Sequence, residues 1–193
     1  SEYVDAKSGV SARLSISAME NLIASANLRL IETDSEHTHI RLTDFMSIIP
    51  SITGKIELVY EGEQEGAAEV AQLLIDEAVQ QKFGSLFPPI QKLEKEGVPT
   101  PYTATIEWFN TNSFLEIGNY TTDAVYRKNL DSVTPLKELV TKFCPTADKD
   151  NVYFYMEMVL WALSINNKLD RIETETAFTF ENNELSKNFY GSN

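Results

Sequence analysis

The chain has 193 residues and a formal net charge of −13 at pH 7, and 42% of its residues are hydrophobic. This length allows a buried core in one larger domain or two small ones. The negative charge argues against nucleic acid or an anionic membrane as partner, because both attract clustered Lys and Arg. A single cysteine, Cys144, excludes a disulfide framework and suits a cytoplasmic protein.

The first predicted helix follows a loop within residues 8–31. Ser17 and Glu20 have the spacing of a capping box, in which each side chain accepts a hydrogen bond from the other residue's backbone amide. Apolar residues recur behind this cap at helical spacing, at Met19, Leu22, Ile23, Ala26 and Leu30. The pattern predicts a capped helix with one apolar face.

Three further features complete the first half of the chain. Residues 32–40 form a polar loop, after which Thr43 caps a second helix. Residues 56–60 fit either a helix or a strand. The clearest helix covers residues 63–83, and Gly84 suits the position just beyond its C-terminus.

The second half is richer in aromatic residues. Its predicted elements are an aromatic helix or strand at 106–109, a short strand at 114–117, a helix capped by Thr122, a helix beginning at Thr134 and Pro135, a strongly apolar helix at 151–167 and a short strand near Phe178 and Phe180. Together these patterns predict a mainly α fold with at most short strands.

Prolines mark the predicted domain boundary. Residues 88–101 hold four prolines, Gly97 and a charged run, which is typical of a linker. We therefore predict a helical domain at residues 1–88, a Pro-rich linker at 89–101 and a mostly helical domain at 102–193.

Motifs for catalysis are sparse. The segment Gly54-Lys55-Ile56 lacks the upstream Gly and the following Ser or Thr of a phosphate loop. His37 and His39 could share a strand face and bind a metal, but no third ligand is evident, and exposed loop histidines are the simpler reading. Cys144 reads as a small buried residue. No metal site is predicted.

One residue carries a chemical signal. Arg13 lies at the turn before the first helix, and its guanidinium is a planar set of donors suited to phosphate oxygens. A helix N-terminus adds backbone amides beside it. From spacing alone, an ordinary surface arginine is the commoner outcome.

The segment around this arginine resembles a known family. Residues 8–15 read Ser-Gly-Val-Ser-Ala-Arg-Leu-Ser, and the sensor-2 entry of MoxR-like and magnesium-chelatase AAA+ ATPases usually reads Gly-Ala-Ser-Pro-Arg-Ala. Gly9, Ser11 and Arg13 match that pattern, whereas Val10 and Ala12 depart from it. The runs 42–44 and 50–66 also look like such proteins, and the resemblance extends over residues 8–88, with a weaker one beyond.

The resemblance implies a role for each part of the chain. Residues 1–88 would be the helical AAA+ lid, in which Arg13 is the sensor-2 residue that binds the nucleotide phosphates, and 102–193 would be a C-terminal extension. The cofactors ATP and Mg²⁺ would bind mainly to an N-terminal α/β domain of the same chain, which also supplies the catalytic groups. We therefore expect no catalysis by these 193 residues alone.

The resemblance also implies partners. These are the N-terminal AAA+ domain of the same chain and neighbouring ring subunits, and MoxR-type ATPases often act alongside a von Willebrand A-type protein. We expect the 193 residues alone to be a monomer or weak dimer. Two alternatives remain open from the residues: a stand-alone helical adaptor for protein partners, and an enzyme that uses the two histidines with nearby acids.

Overall fold

The computed structural model describes residues 13–53, 55, 66–90, 98–112 and 114–183. Within these ranges the chain is mainly helical with one small sheet, which confirms the predicted fold class. The chain divides into two compact units, residues 1–78 and 79–193. Residues 91–97 of the predicted linker lie outside the described ranges, and the predicted domain boundaries stay predictions.

The described helices and strands follow in chain order. The first unit contains α1 (Arg13–Glu32), a 3₁₀ helix (Leu42–Ile48), α2 (Ile49–Thr53) and most of α3 (Ala67–Leu86). The second contains the end of α3, then α4 (Thr103–Thr111), β1 (Phe114–Gly118), α5 (Asp123–Ser132), α6 (Thr134–Phe143), α7 (Asn151–Ile165), β2 (Asp170–Glu173) and β3 (Ala177–Glu181).

The start of α1 differs from the prediction. Arg13, the first described residue, is already helical, so Ser17 lies a full turn inside the helix. The predicted capping box at Ser17 and Glu20 is therefore wrong. The Ser17 hydroxyl instead accepts a hydrogen bond of 2.6 Å from Nζ of Lys55. A local sequence pattern was outweighed here by a contact between residues far apart in the chain.

The end of α3 also differs from the prediction. The helix passes through Gly84 and ends at Leu86, so Gly84 does not terminate it. Phe83 and Phe87 are buried and stack with ring centroids 5.1 Å apart, and the Phe83 ring lies 5.9 Å from that of Tyr102. Aromatic burial beyond Gly84 outweighs the cost of a glycine inside a helix, which is about 1 kcal/mol. Residues 56–60, predicted as helix or strand, lie outside the described ranges.

Helix α7 forms the centre of the second unit. Every residue from Met156 to Leu163 is buried, as expected for a helix that is apolar on all sides. The Trp161 ring stacks on Phe178 of β3 at 5.6 Å, and the Arg171 guanidinium of β2 lies 4.2 Å from the Trp161 ring centroid. These contacts attach the sheet to α7.

The sheet has three antiparallel strands in the order β1-β3-β2. Leu115 and Ile117 of β1 are buried and pair with Phe180 and Phe178 of β3. The chain tail, predicted as one short strand, contains both β2 and β3. Thr174 donates a backbone hydrogen bond to Ala177 and closes a hairpin between these two strands.

Two predicted helix starts are confirmed. The Thr122 hydroxyl accepts a hydrogen bond from the backbone amide of Val125 at the start of α5. Helix α6 begins at Thr134 with Pro135 in its first turn. Amides of the first turn have no acceptor within the helix, so the amide hydrogen that proline lacks costs no helical hydrogen bond there.

A carboxyl group is buried inside this apolar core. Glu157 is the one acidic residue in the buried run of α7, and its side chain is inaccessible to solvent. The Tyr126 hydroxyl of α5 donates a hydrogen bond of 2.8 Å to its Oε2 atom. Because a buried carboxyl must be hydrogen-bonded to avoid a large desolvation cost, this contact fixes α5 against α7.

We predict that Tyr126→Phe lowers the free energy of unfolding by about 1–3 kcal/mol, because the carboxyl of Glu157 then loses a buried donor. Urea unfolding followed by circular dichroism measures the change. The double variant Tyr126→Phe/Glu157→Leu should lose less unfolding free energy than the sum of the losses in the two single variants. A fully additive result would show that the two side chains are not coupled.

Candidate functional site

The predicted phosphate-binding residue lies at the first described position of α1. The Arg13 side chain is exposed, and the helix that carries it continues for 20 residues, or about 30 Å. Gly9 and Ser11, the other residues that match the sensor-2 pattern, lie outside the described ranges. The role of Arg13 therefore depends on the contacts that hold α1 in place and on the exposed side of that helix.

A polar stripe holds α1 against the residues that follow it. We use this name for Ser17, Asn21, Ser25 and Arg29, which are four residues apart and so lie on one side of the helix. Asn21 donates to the Ser47 carbonyl at 3.1 Å and to Oγ of Ser51 at 2.9 Å. Every member of the stripe makes a hydrogen bond to a side chain or carbonyl between residues 38 and 55.

The stripe ends in a buried ion pair. Arg29 donates from Nη1 and Nη2 to the two carboxylate oxygens of Asp44 at 2.7 and 2.8 Å, and these side chains are 2% and 3% exposed. The Ser25 hydroxyl donates to Oδ1 of Asp44 at 2.7 Å, and the Arg41 backbone amide donates to Oδ2 at 2.8 Å. Four donors thus compensate the desolvation of the Asp44 carboxylate.

The guanidinium of Arg29 is also hydrogen-bonded beyond Asp44. Its Nε atom donates to Oγ1 of Thr38 at 3.0 Å, and Nη2 donates to the carbonyl of His39 at 2.8 Å. The loop between α1 and the 3₁₀ helix is therefore bound to the same side chain as the helix itself. One arginine connects α1, the loop and the residues around Asp44.

The opposite side of α1 carries exposed apolar residues, among which the exposed polar residues Glu20 and Asn27 also lie. The outer face, as we call it, consists of Ile16, Met19, Ile23 and Ile31, whose exposed fractions are 61%, 56%, 49% and 75%. The fully buried residues of this helix are Ala26 and Arg29. Of the predicted apolar face, Met19 and Ile23 point outward, because the polar stripe occupies the inner side.

The residues proposed for other chemistry do not converge. His37 and His39 are both exposed in the loop after α1. Among the residues that the structure describes, no group of three or more His, Cys, Asp or Glu could hold a metal ion. Cys144 is buried at the end of α6, as predicted, and burial raises the pKa of its thiol while Lys82 opposes that shift.

A second polar cluster lies in the other unit, around Tyr153 of α7. Nζ of Lys137 donates to Oδ1 of Asp131 at 2.8 Å and to the Tyr153 hydroxyl at 3.0 Å, and that hydroxyl donates to Oδ2 of Asp131 at 2.9 Å. These hydrogen bonds raise the pKa of Lys137. Arg127 pairs with Asp150 and lies 5.2 Å from the Tyr153 ring centroid.

An open groove of about 810 Å³ runs beside this cluster. It is lined by Asp131, Thr134, Lys137, Glu138, Thr141 and Lys142. These residues all come from the end of α5 and from α6, and their charges are mixed. The cluster connects α5, α6 and α7 through these hydrogen bonds.

Sequence reasoning missed the polar stripe and its ion pair. A four-residue spacing of Ser17, Asn21, Ser25 and Arg29 is visible in the sequence, but polar residues at such a spacing usually mark a solvated face. Their partners, above all Asp44, become apparent only once the chain has folded back.

The described helices include none that is long and apolar enough to cross a bilayer.

We predict that Arg29→Met or Asp44→Asn lowers the free energy of unfolding of the first unit by about 3–5 kcal/mol, because each change leaves a buried charged or polar partner uncompensated. Urea unfolding measures it. The exposed pair Lys137–Asp131 provides the control, and Lys137→Met there should cost at most about 1 kcal/mol. Equal losses of unfolding free energy at the buried and the exposed pair would contradict the role that we assign to burial.

Comparisons of the chain with models of protein families, with curated proteins and with solved structures give no match. The functional proposal therefore depends on Arg13, the polar stripe and the outer face of α1.

Proposed function

We propose that residues 1–88 are the lid of an AAA+ ATPase of the magnesium-chelatase/MoxR type, with Arg13 as its sensor-2 residue, and that residues 102–193 are its C-terminal extension. The observation that carries the proposal is an exposed arginine at the start of a long helix whose far end is held by a buried ion pair. The resemblance of residues 8–15 to the sensor-2 entry supports the same role.

The chemistry of Arg13 suits this role. Its guanidinium can donate two parallel hydrogen bonds to phosphate oxygens and carries a permanent positive charge. The nucleotide and Mg²⁺ would be held by a preceding α/β domain, which supplies the hydrolytic chemistry. Arg13 would then bind the phosphates only while the nucleotide is present.

The polar stripe gives this contact a mechanical consequence. Arg13 and Arg29 lie on the same helix, 16 residues or about 24 Å apart. Because hydrogen bonds fasten α1 along its length to residues 38–55, a shift of Arg13 toward phosphate would move that whole segment with it. A ligand that binds one arrangement better than another shifts the population between them. The lid would in this way convert nucleotide state into movement that acts on a protein partner.

The first test is the reading frame upstream of Ser1. The proposal requires that it encode a phosphate loop followed by Mg²⁺-binding acids on the same polypeptide. A frame without them would favour the alternative, a stand-alone helical adaptor. The exposed apolar outer face of α1 is the observation that supports that alternative, since such surfaces often bind proteins.

We predict that Arg13→Ala in the complete protein lowers kcat/KM for ATP on the order of 10- to 100-fold, because a charge-assisted hydrogen bond to phosphate contributes about 1.5–3 kcal/mol. Steady-state ATP hydrolysis measures the change, and circular dichroism checks that the fold is intact.

Two control variants accompany this test. Arg13→Lys keeps the charge but loses the paired donors, so it should retain only part of the activity. Arg127→Ala removes an arginine of the second unit and should leave hydrolysis unchanged. Unaltered hydrolysis in Arg13→Ala would reject the sensor-2 assignment.

A further inference from the structure

The three-stranded sheet of the second unit has one side buried against α7 and one side turned to solvent. Residues that pair across antiparallel strands project to the same side, and alternate residues along a strand project to opposite sides. The buried side carries Leu115 and Ile117 of β1 with Phe178 and Phe180 of β3. The acidic sheet surface, as we call the other side, consists of Phe114, Glu116, Asp170, Ile172, Thr179 and Glu181.

Carboxylates are adjacent on this surface. Glu181 of β3 pairs directly with Asp170 of β2, and Glu116 of β1 is a diagonal neighbour of Glu181. Like charges directly opposite each other destabilise a sheet. Arg171 is the one basic residue of the three strands, all of which the structure describes, and its guanidinium lies against the Trp161 ring on the buried side. The acidic sheet surface therefore has three carboxylates and no cation from its own strands.

Two apolar side chains flank these carboxylates. Phe114 and Ile172 are 58% and 44% exposed, and they lie on the two edge strands with β3 between them. Neighbouring strands are about 4.8 Å apart, so the two edge strands are separated by about 10 Å. The solvated side of an antiparallel sheet is usually polar, and apolar residues at both edges are a departure from that pattern. A partner that covers the carboxylate of Glu181 would reach both apolar residues.

We propose that the acidic sheet surface binds a basic amphipathic segment of a protein partner. A Lys or Arg of that segment beside Glu181 offsets the repulsion among the three carboxylates, and its apolar side chains cover Phe114 and Ile172. The strands belong to the second unit, so this binding site goes beyond the proposed role of Arg13 and does not depend on it. It gives the residues after the predicted linker a partner-binding role of their own.

A second copy of the chain is a poorer occupant of this surface. Each copy has a net charge of −13, and a symmetric contact would bring the carboxylates of one copy against those of the other. The experiment below nevertheless separates the two occupants.

A synthetic leucine–lysine peptide, patterned as an amphipathic helix, is the probe for this site. Isothermal titration calorimetry measures its binding to the 193-residue chain, with a peptide that has Glu in place of each Lys for comparison. The test variant is Phe114→Ser/Glu181→Gln. The control is Val125→Ser/Glu138→Gln, which removes an exposed apolar side chain and an exposed carboxylate from helices α5 and α6 of the same unit. Circular dichroism checks that both variants are folded.

We expect the Kd of the leucine–lysine peptide to rise at least about tenfold in the test variant and less than about twofold in the control. The single variant Glu181→Gln should weaken peptide binding and raise the urea midpoint, because it removes a like-charge pair. A residue with a merely structural role would not improve stability while impairing binding.

Three results would overturn the proposal. Equal weakening in the test variant and the control would show unspecific attraction to an acidic protein. Equal binding of the glutamate peptide would remove the charge complementarity. Self-association of the chain that Phe114→Ser abolishes, measured by sedimentation, would assign the acidic sheet surface to a second copy instead. None of these results bears on ATP hydrolysis by the complete protein, so the proposed role of Arg13 stands or fails separately.

Discussion

The buried pair of Arg29 and Asp44 is the interaction on which the first unit depends. It joins α1 to the 3₁₀ helix, and the remaining donors of Arg29 hold the loop between them. An ion pair in this position is costly to desolvate, and a well-packed pair of apolar residues could stabilise the unit equally well. The ion pair also fixes the register of α1, by which we mean its position along its own axis. Both carboxylate oxygens and the guanidinium are fully hydrogen-bonded only when α1 lies at one height against Asp44.

This register explains why α1 presents its isoleucines to solvent. Because the polar stripe has to meet its partners between residues 38 and 55, the inner side of the helix is committed to hydrogen bonds along its length. The outer face then carries the apolar residues, with Arg13 at its edge. Under the proposed function, the inner side of this helix would carry a movement of Arg13 to residues 38–55.

The second unit is organised by a different constraint. Its central helix, α7, is buried on all sides from Met156 to Leu163, and a single carboxyl, Glu157, lies within that run. The hydrogen bond from Tyr126 fixes how α5 meets this helix, and the stack of Trp161 on Phe178 fixes the sheet. The polar cluster at Tyr153 then fastens α5, α6 and α7 near the surface.

Local patterns in the sequence determined the helical class, the strand at Phe114–Gly118, the Thr122 cap, the start of α6 at Thr134 and the buried helix α7, because each depends on residues close together in the chain. The sequence also singled out Arg13 as a residue suited to phosphate. Tertiary structure decided the rest. The capping pattern at Ser17 gave way to its contact with Lys55, and α3 ran past Gly84 because aromatic burial favoured it. Which side of α1 faces inward could not be read from periodicity, since polar and apolar stripes share the same helical spacing. That choice depended on Asp44, a partner 15 residues from Arg29 whose carboxylate only the folded chain brings within reach.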